Sequence, residues 1–181
     1  MGCECYQQSP YQIAGSVLSG IVTGLFIPAM TVVGWHHTSF ATFGLYRSCF
    51  TYFTKQCIGT VWNLVPGLDA ARILFIIAAC ILGLKLFISF GFCITKKYGP
   101  LILALGVCDL VGGLVILSGC IAYIVTFAPI VRSSANDASF GVAFYLGWFA
   151  GPFSVAAGIC NIYAGKLIGQ QQCGVNVSHK A

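Results

Sequence analysis

Cys49 and Cys57, with seven residues between them, and Lys85 and Asp109, each alone among apolar neighbours, are the residues whose types and placement suit chemistry. The two cysteines suit a disulfide: adjacent antiparallel strands joined by a short turn bring such a pair of sulfurs together. Closing so short a loop is worth roughly 2 to 3 kcal/mol in the chain-entropy model. The lone charges suit an ion pair, because an ionised side chain near mid-bilayer is costly and a partner of opposite sign relieves much of that cost. Other chemistries are poorly supplied. His36 and His37 are adjacent, but no Cys, Asp or Glu lies within the local spacing of a zinc site, so no metal is expected. No Ser-His-Asp set, carboxylate pair or Gly-rich phosphate loop stands in a workable context, and four acidic residues leave little general-acid chemistry. Neither an enzyme nor a cofactor is expected.

The elements that must position these residues follow from composition. Of 181 residues, 58% are hydrophobic and 7% charged, far below the roughly 25% charged residues of a soluble domain, so lipid is the main solvent. Four apolar runs, residues 11–34, 73–94, 101–129 and 140–165, exceed the length that separates a membrane span from a buried helix. The first lacks a preceding basic segment and is too long for a signal-peptide core, so it is expected to be retained. Loops of residues 35–72 and 130–139 then share one side, while the N-terminus, a turn at 95–100 and the C-terminal tail share the other. Lys96, Lys97, Lys166 and Lys180 balance Arg47, Lys55, Arg72 and Arg132, so basic residues do not orient the chain. The disulfide does, since it persists only in an oxidising compartment, which puts the long loop outside and the termini in the cytosol. The sequon at Asn176-Val177-Ser178 then stays unmodified. The net charge of +5 is scattered rather than gathered in a patch, so nucleic acid is not an expected partner.

Lys85 precedes the cytosolic turn by about nine residues and Asp109 follows it by about nine, so at 1.5 Å per residue both lie roughly 13 Å from it. A structural ion pair between antiparallel neighbours is expected, not an ion pathway, since nothing else polar of that kind lines the spans. The alternative has Lys85 snorkelling to the headgroups and Asp109 protonated or bonded to another helix. Gly20 and Gly24, and Gly147 and Gly151, have the four-residue spacing that lets helices approach closely; internal packing is the first reading and a dimer face the second.

After Trp35, itself a candidate interfacial anchor, the sequence favours strands. Trp35, Gly44-Leu45-Tyr46, Cys49 and Cys57 resemble the claudin signature, with Tyr46 in place of the usual second Trp. Pro66-Gly67-Leu68-Asp69-Ala70-Ala71-Arg72 is similar to the claudin entry into span two, and Tyr145-Leu146-Gly147-Trp148 to a stretch of span four. The resemblance implies an all-α transmembrane fold: a left-handed four-helix bundle capped by a small extracellular antiparallel sheet, formed mainly by the first loop. It implies that Trp35 pins this sheet, that Arg72 at the start of span two bonds loop carbonyls, and that Cys93 and Cys173 carry palmitate, inert thiols being the alternative. The Met1-Gly2-Cys3 start lacks the Ser or Thr of a myristoylation site, having Tyr6 there. The stretch from Trp35 to Cys49 is shorter than in vertebrate claudins, missing a hairpin tip used against the opposing cell. The ending Ser178-His179-Lys180-Ala181 lacks the hydrophobic residue that enters a PDZ pocket, so no scaffold contact is expected by that route.

The function so implied is a multi-pass plasma-membrane protein of cell-cell junctions that assembles side by side, in lipid, to form or modulate a paracellular barrier or channel. Arg47 and Lys55 against Asp69, and Arg132 against Asp137, leave a slight positive excess on the outer side, hence a barrier or weak anion preference. The alternative is a regulatory four-span protein of the peripheral-myelin or channel-auxiliary type, with related proteins or a channel as partner.

Overall fold

Backbone N–H and C=O groups in lipid must be satisfied within the protein, which for these apolar runs means helices. A computed structural model describes residues 10–50, 56–59, 65–91, 98–133 and 138–178. Its four long helices are α1 (Pro10–Thr31), α2 (Pro66–Gly91), α3 (Tyr98–Ser133) and α4 (Val142–Ser178), and each contains a stretch long and apolar enough to cross a membrane. Large apolar side chains face outward, Phe87 77% and Val125 69% exposed, while Asp109 is fully buried. That is the reverse of a water-soluble protein.

Two helix ends depart from the hydropathy reading. The segment Pro66–Arg72, read as a lead-in, is the first two turns of α2: Pro66 fits the first helical position and Asp69 the positive N-terminal end. Arg72 therefore sits inside the helix, not at its boundary. α3 continues to Ser133 and α4 through Ser178, so part of the second loop and most of the tail are helical. The turn between α2 and α3 lies outside the described residues.

α1 packs on α4, α4 on α3 and α3 on α2, whereas the α1 and α2 backbones stand apart. The α3–α4 seam is the tightest, and glycines spaced by seven make it so: Gly99, Gly106 and Gly113 face Gly165, Gly158 and Gly151. A Cβ on Gly158 would lie 2.6 Å from the Leu110 nitrogen, and one on Gly113 2.8 Å from the Gly151 carbonyl. Gly147 and Gly151 thus pack internally. Gly20 and Gly24 do not: a Cβ on either would meet nothing within 4 Å, and both face outward. For that pair the internal-packing reading fails, because α1 turns other residues, Gly15, Ser19 and Val22, into the bundle.

The sheet is antiparallel and five-stranded, in the order β4-β3-β2-β1-β5. β1 (His36–Thr38), β2 (Ala41–Phe43), β3 (Arg47–Phe50) and β4 (Gln56–Gly59) come from the first loop, and β5 (Ala138–Phe140) from the second. β5 pairs with β1 in the register His36 to Phe140. Gly34 and Gly141 make this closure possible: a Cβ on Gly141 would lie 2.1 Å from the Gly34 carbonyl oxygen. That carbonyl instead accepts the Ala143 N–H at 3.2 Å, one of the amides that the first turn of α4 leaves unpaired.

Candidate functional site

Two constellations stand out, one within the membrane span and one beneath the sheet. In the first, the Asp109 carboxylate accepts from three other helices: Lys85 Nζ of α2 at 2.5 Å, Ser19 Oγ of α1 at 2.9 Å and Asn161 Nδ2 of α4 at 3.1 Å. Ser154 Oγ of α4 also donates to the Asp109 backbone carbonyl at 2.8 Å. Lys85 and Asp109 are both buried, at 8% and 0% exposure, so the lysine does not snorkel to the headgroups. Three neutral polar side chains that sequence reading did not assign to this pair, Ser19, Ser154 and Asn161, complete it. Gly15 gives Asn161 its room, since a Cβ there would lie 2.2 Å from the amide oxygen. A carboxylate with three donors has most of its acceptor sites filled, and the ammonium finds the opposite charge. Chemically this arrangement holds charge rather than moving it, and it ties all four helices together.

The second constellation begins at Trp35. The sequence allowed a headgroup anchor, but the ring is fully buried. It packs edge-on to Phe75 with centroids 5.0 Å apart, and lies 4.7 Å from Tyr123 and 5.8 Å from Phe144. Its Nε1 donates to the Ala29 carbonyl at 2.7 Å, a group near the end of α1 that needs a partner. The indole thus closes the helix from which its own strand departs. Gly44 makes the turn before β3, donating to the Arg47 carbonyl at 2.8 Å; a Cβ there would crowd Val33. Leu45 is buried and its carbonyl accepts Arg72 Nε at 2.5 Å, while Arg72 Nη1 donates to Asp69 at 2.8 Å. The guanidinium thereby fastens the sheet to α2.

Cys49 and Cys57 stand opposite each other on β3 and β4 and form the disulfide. His36, stacked on Phe43, has Nδ1 2.7 Å from the Tyr123 hydroxyl. Burial, with His37 adding a smaller push, lowers its pKa from 6.5 to about 4, so the ring is neutral at physiological pH. Among the described residues no group of three His, Cys, Asp or Glu could hold a metal ion.

The other singled-out residues are dispersed. Arg47 is exposed at the start of β3. Asp69 is buried and paired with Arg72, so it is not a carboxylate facing an ion path, a correction to the charge count above. Gly147 lies against Phe75, Cys120 and Trp35, and half-buried Trp148 lies 6.3 Å from Phe144 between ring centroids. Lys55 and Cys93 lie outside the described residues, as does Asp137, and Cys173 belongs to the last turns of α4. What sequence reasoning missed are Ser19, Ser154 and Asn161, and the seam glycines other than Gly151. The signals were an Asn inside an apolar span and the spacing of seven.

The comparisons agree with this architecture. Bovine epithelial membrane protein 3 is 31% identical over 100 residues, 55% of this chain and 61% of that protein, so the match spans about three fifths of the relative's length. The mouse protein of the same name is 26% identical over 151 residues, covering 81% of this chain and 90% of the relative. The model of the PMP-22/EMP/MP20/Claudin family matches residues 11–161. With four spans, a disulfide-stapled loop and that match over most of its length, the chain is a multi-pass membrane protein of the PMP-22/EMP/MP20/Claudin family.

Proposed function

We propose that the protein is a non-catalytic organiser of the plasma membrane that assembles side by side at cell-cell contacts through its extracellular sheet, forming or modulating a paracellular barrier. The observation that carries this reading is the β4 edge. All four residues Gln56–Gly59 are exposed, with Ile58 56% exposed, and the disulfide holds the strand flat against β3. A stapled, exposed edge strand, paired on one side only among the described residues, suits strand addition by a neighbouring copy. Arg72 neutralises Asp69, so Arg47 is the exposed loop charge that a passing ion meets among the described residues, which supports a barrier or weak anion preference. The cytosol-facing termini and palmitate at Cys93 and Cys173 belong to the same proposal.

A second reading, regulation of a channel or membrane domain without sealing, has its own support. The β1–β2 turn holds only Ser39 and Phe40, leaving no projecting tip for an opposing cell, and the relatives above are epithelial membrane proteins. Freeze-fracture of strand-free cells expressing the protein separates the two. Continuous intramembrane strands support side-by-side junctional assembly; isolated particles together with a co-purifying channel support the regulatory reading and defeat the first.

A further inference from the structure

Phe26 of α1 stacks on Phe75 of α2, and beside that contact the two helices leave a gap that the described chain does not fill. Ile27 and Met30 of α1 and Leu82 and Leu86 of α2 wall a cleft of about 550 Å³, open to the lipid side. Tyr46 and Arg47, on the link from β2 into β3, close its outer end. Arg47 is exposed and has no ion pair among the described residues, and the described acidic side chains are engaged elsewhere, Asp69 with Arg72 and Asp109 with Lys85. The Tyr46 side chain walls the same end of the cleft, its hydroxyl shielded from solvent. An apolar slot that ends, beneath the sheet, at an exposed guanidinium without an ion pair among the described residues has the polarity of one kind of molecule.

We propose that this cleft is a binding site for an outer-leaflet phospholipid, with one acyl chain between α1 and α2 and the phosphate held by Arg47. Guanidinium and phosphate match as charge and as hydrogen-bonding geometry. The chain extends the narrow contact that the Phe26–Phe75 stack makes between α1 and α2, so the lipid acts as a fifth packing element of the bundle and is held against exchange with bulk lipid.

The test uses the full chain in phosphatidylcholine nanodiscs containing a trace of phosphatidylcholine with a photoreactive group midway along one acyl chain, with adducts mapped by peptide mass spectrometry. The expected adducts fall on residues 26–33 and 79–86, well above those around Val125 on the far face. Arg47→Ala should lower cleft labelling about tenfold, the scale of one charge-assisted hydrogen bond, and leave the Val125 face unchanged. Gly83→Phe should do the same by occupying the cleft, since a Cβ there meets nothing within 4 Å and the core is untouched. Even labelling around the bundle, or cleft labelling indifferent to both substitutions, overturns the proposal. Labelling by a photoreactive sterol in place of the phospholipid, or a cross-link from the cleft to a second copy of the chain, overturns it as well.

Discussion

The sheet latch and the intramembrane polar centre both bury an ion pair, but they build it differently. Arg72 finds its carboxylate three residues away on its own helix, so that pair forms wherever α2 forms, and the guanidinium is left to hold the Leu45 carbonyl. Asp109 draws every side-chain partner from another helix, so its interactions exist only in the assembled bundle. A locally satisfied charge is a peg on which a loop hangs. A remotely satisfied charge is a statement about tertiary structure, because any misassembled arrangement leaves it unpaired in lipid.

Substitutions sharpen this contrast. Arg72→Ala should have the largest effect at the cap, about 4 kcal/mol, because it removes the ion-pair partner of buried Asp69 and the donor to Leu45. Hydrogen exchange should then show the sheet loosened while the α3–α4 seam keeps its protection. Cys49→Ser should cost roughly 2 to 3 kcal/mol and retain the protein in the secretory pathway. Thiol labelling of both cysteines in the intact wild type would contradict the bridge.

Acid should act next, again at the cap. His36 has its pKa lowered from 6.5 to about 4 in the fold, so the unfolded chain takes up a proton first as pH falls. Stability is complete above about pH 6.5 and declines toward pH 4, by about 2 kcal/mol at pH 5. Detergent melting of wild type at pH 7 and pH 5 measures this, and His36→Gln should flatten the difference. The smallest effect belongs to Gly20→Ala and Gly24→Ala, within about 0.5 kcal/mol, since nothing meets the added methyl. Gly158→Ala should be damaging, with the Leu110 backbone in the way. Equal losses at all three would mean that α1 is packed as tightly as the seam.

Hydropathy and the cysteine pair were enough to read four spans and a stapled loop, because lipid imposes length and apolarity on each span separately. The depth of Lys85 and Asp109 was legible by counting residues from the turn between their helices. Their company was not: Ser19, Ser154 and Asn161 look like tolerated polar residues until the rotation of each helix is known. β5 has three residues with no alternation to betray it, and it becomes a strand only because Gly34 and Gly141 let the second loop reach β1. Trp35 stood at the end of a span, where anchor and core positions read alike; the bond to the Ala29 carbonyl decides between them.

The central claim is that Asp109 and Lys85 stabilise the bundle as a coupled pair. A double-mutant cycle of Asp109→Asn and Lys85→Met, followed by melting in detergent and by folded yield, tests it directly. Asp109→Asn should cost about 3 kcal/mol because the ammonium loses its counter-charge, and Lys85→Met about 2, since Ser19 and Asn161 still serve the carboxylate. The double variant should lose about 2 kcal/mol, no more than the milder single change. Strictly additive losses near 5 kcal/mol would contradict the account.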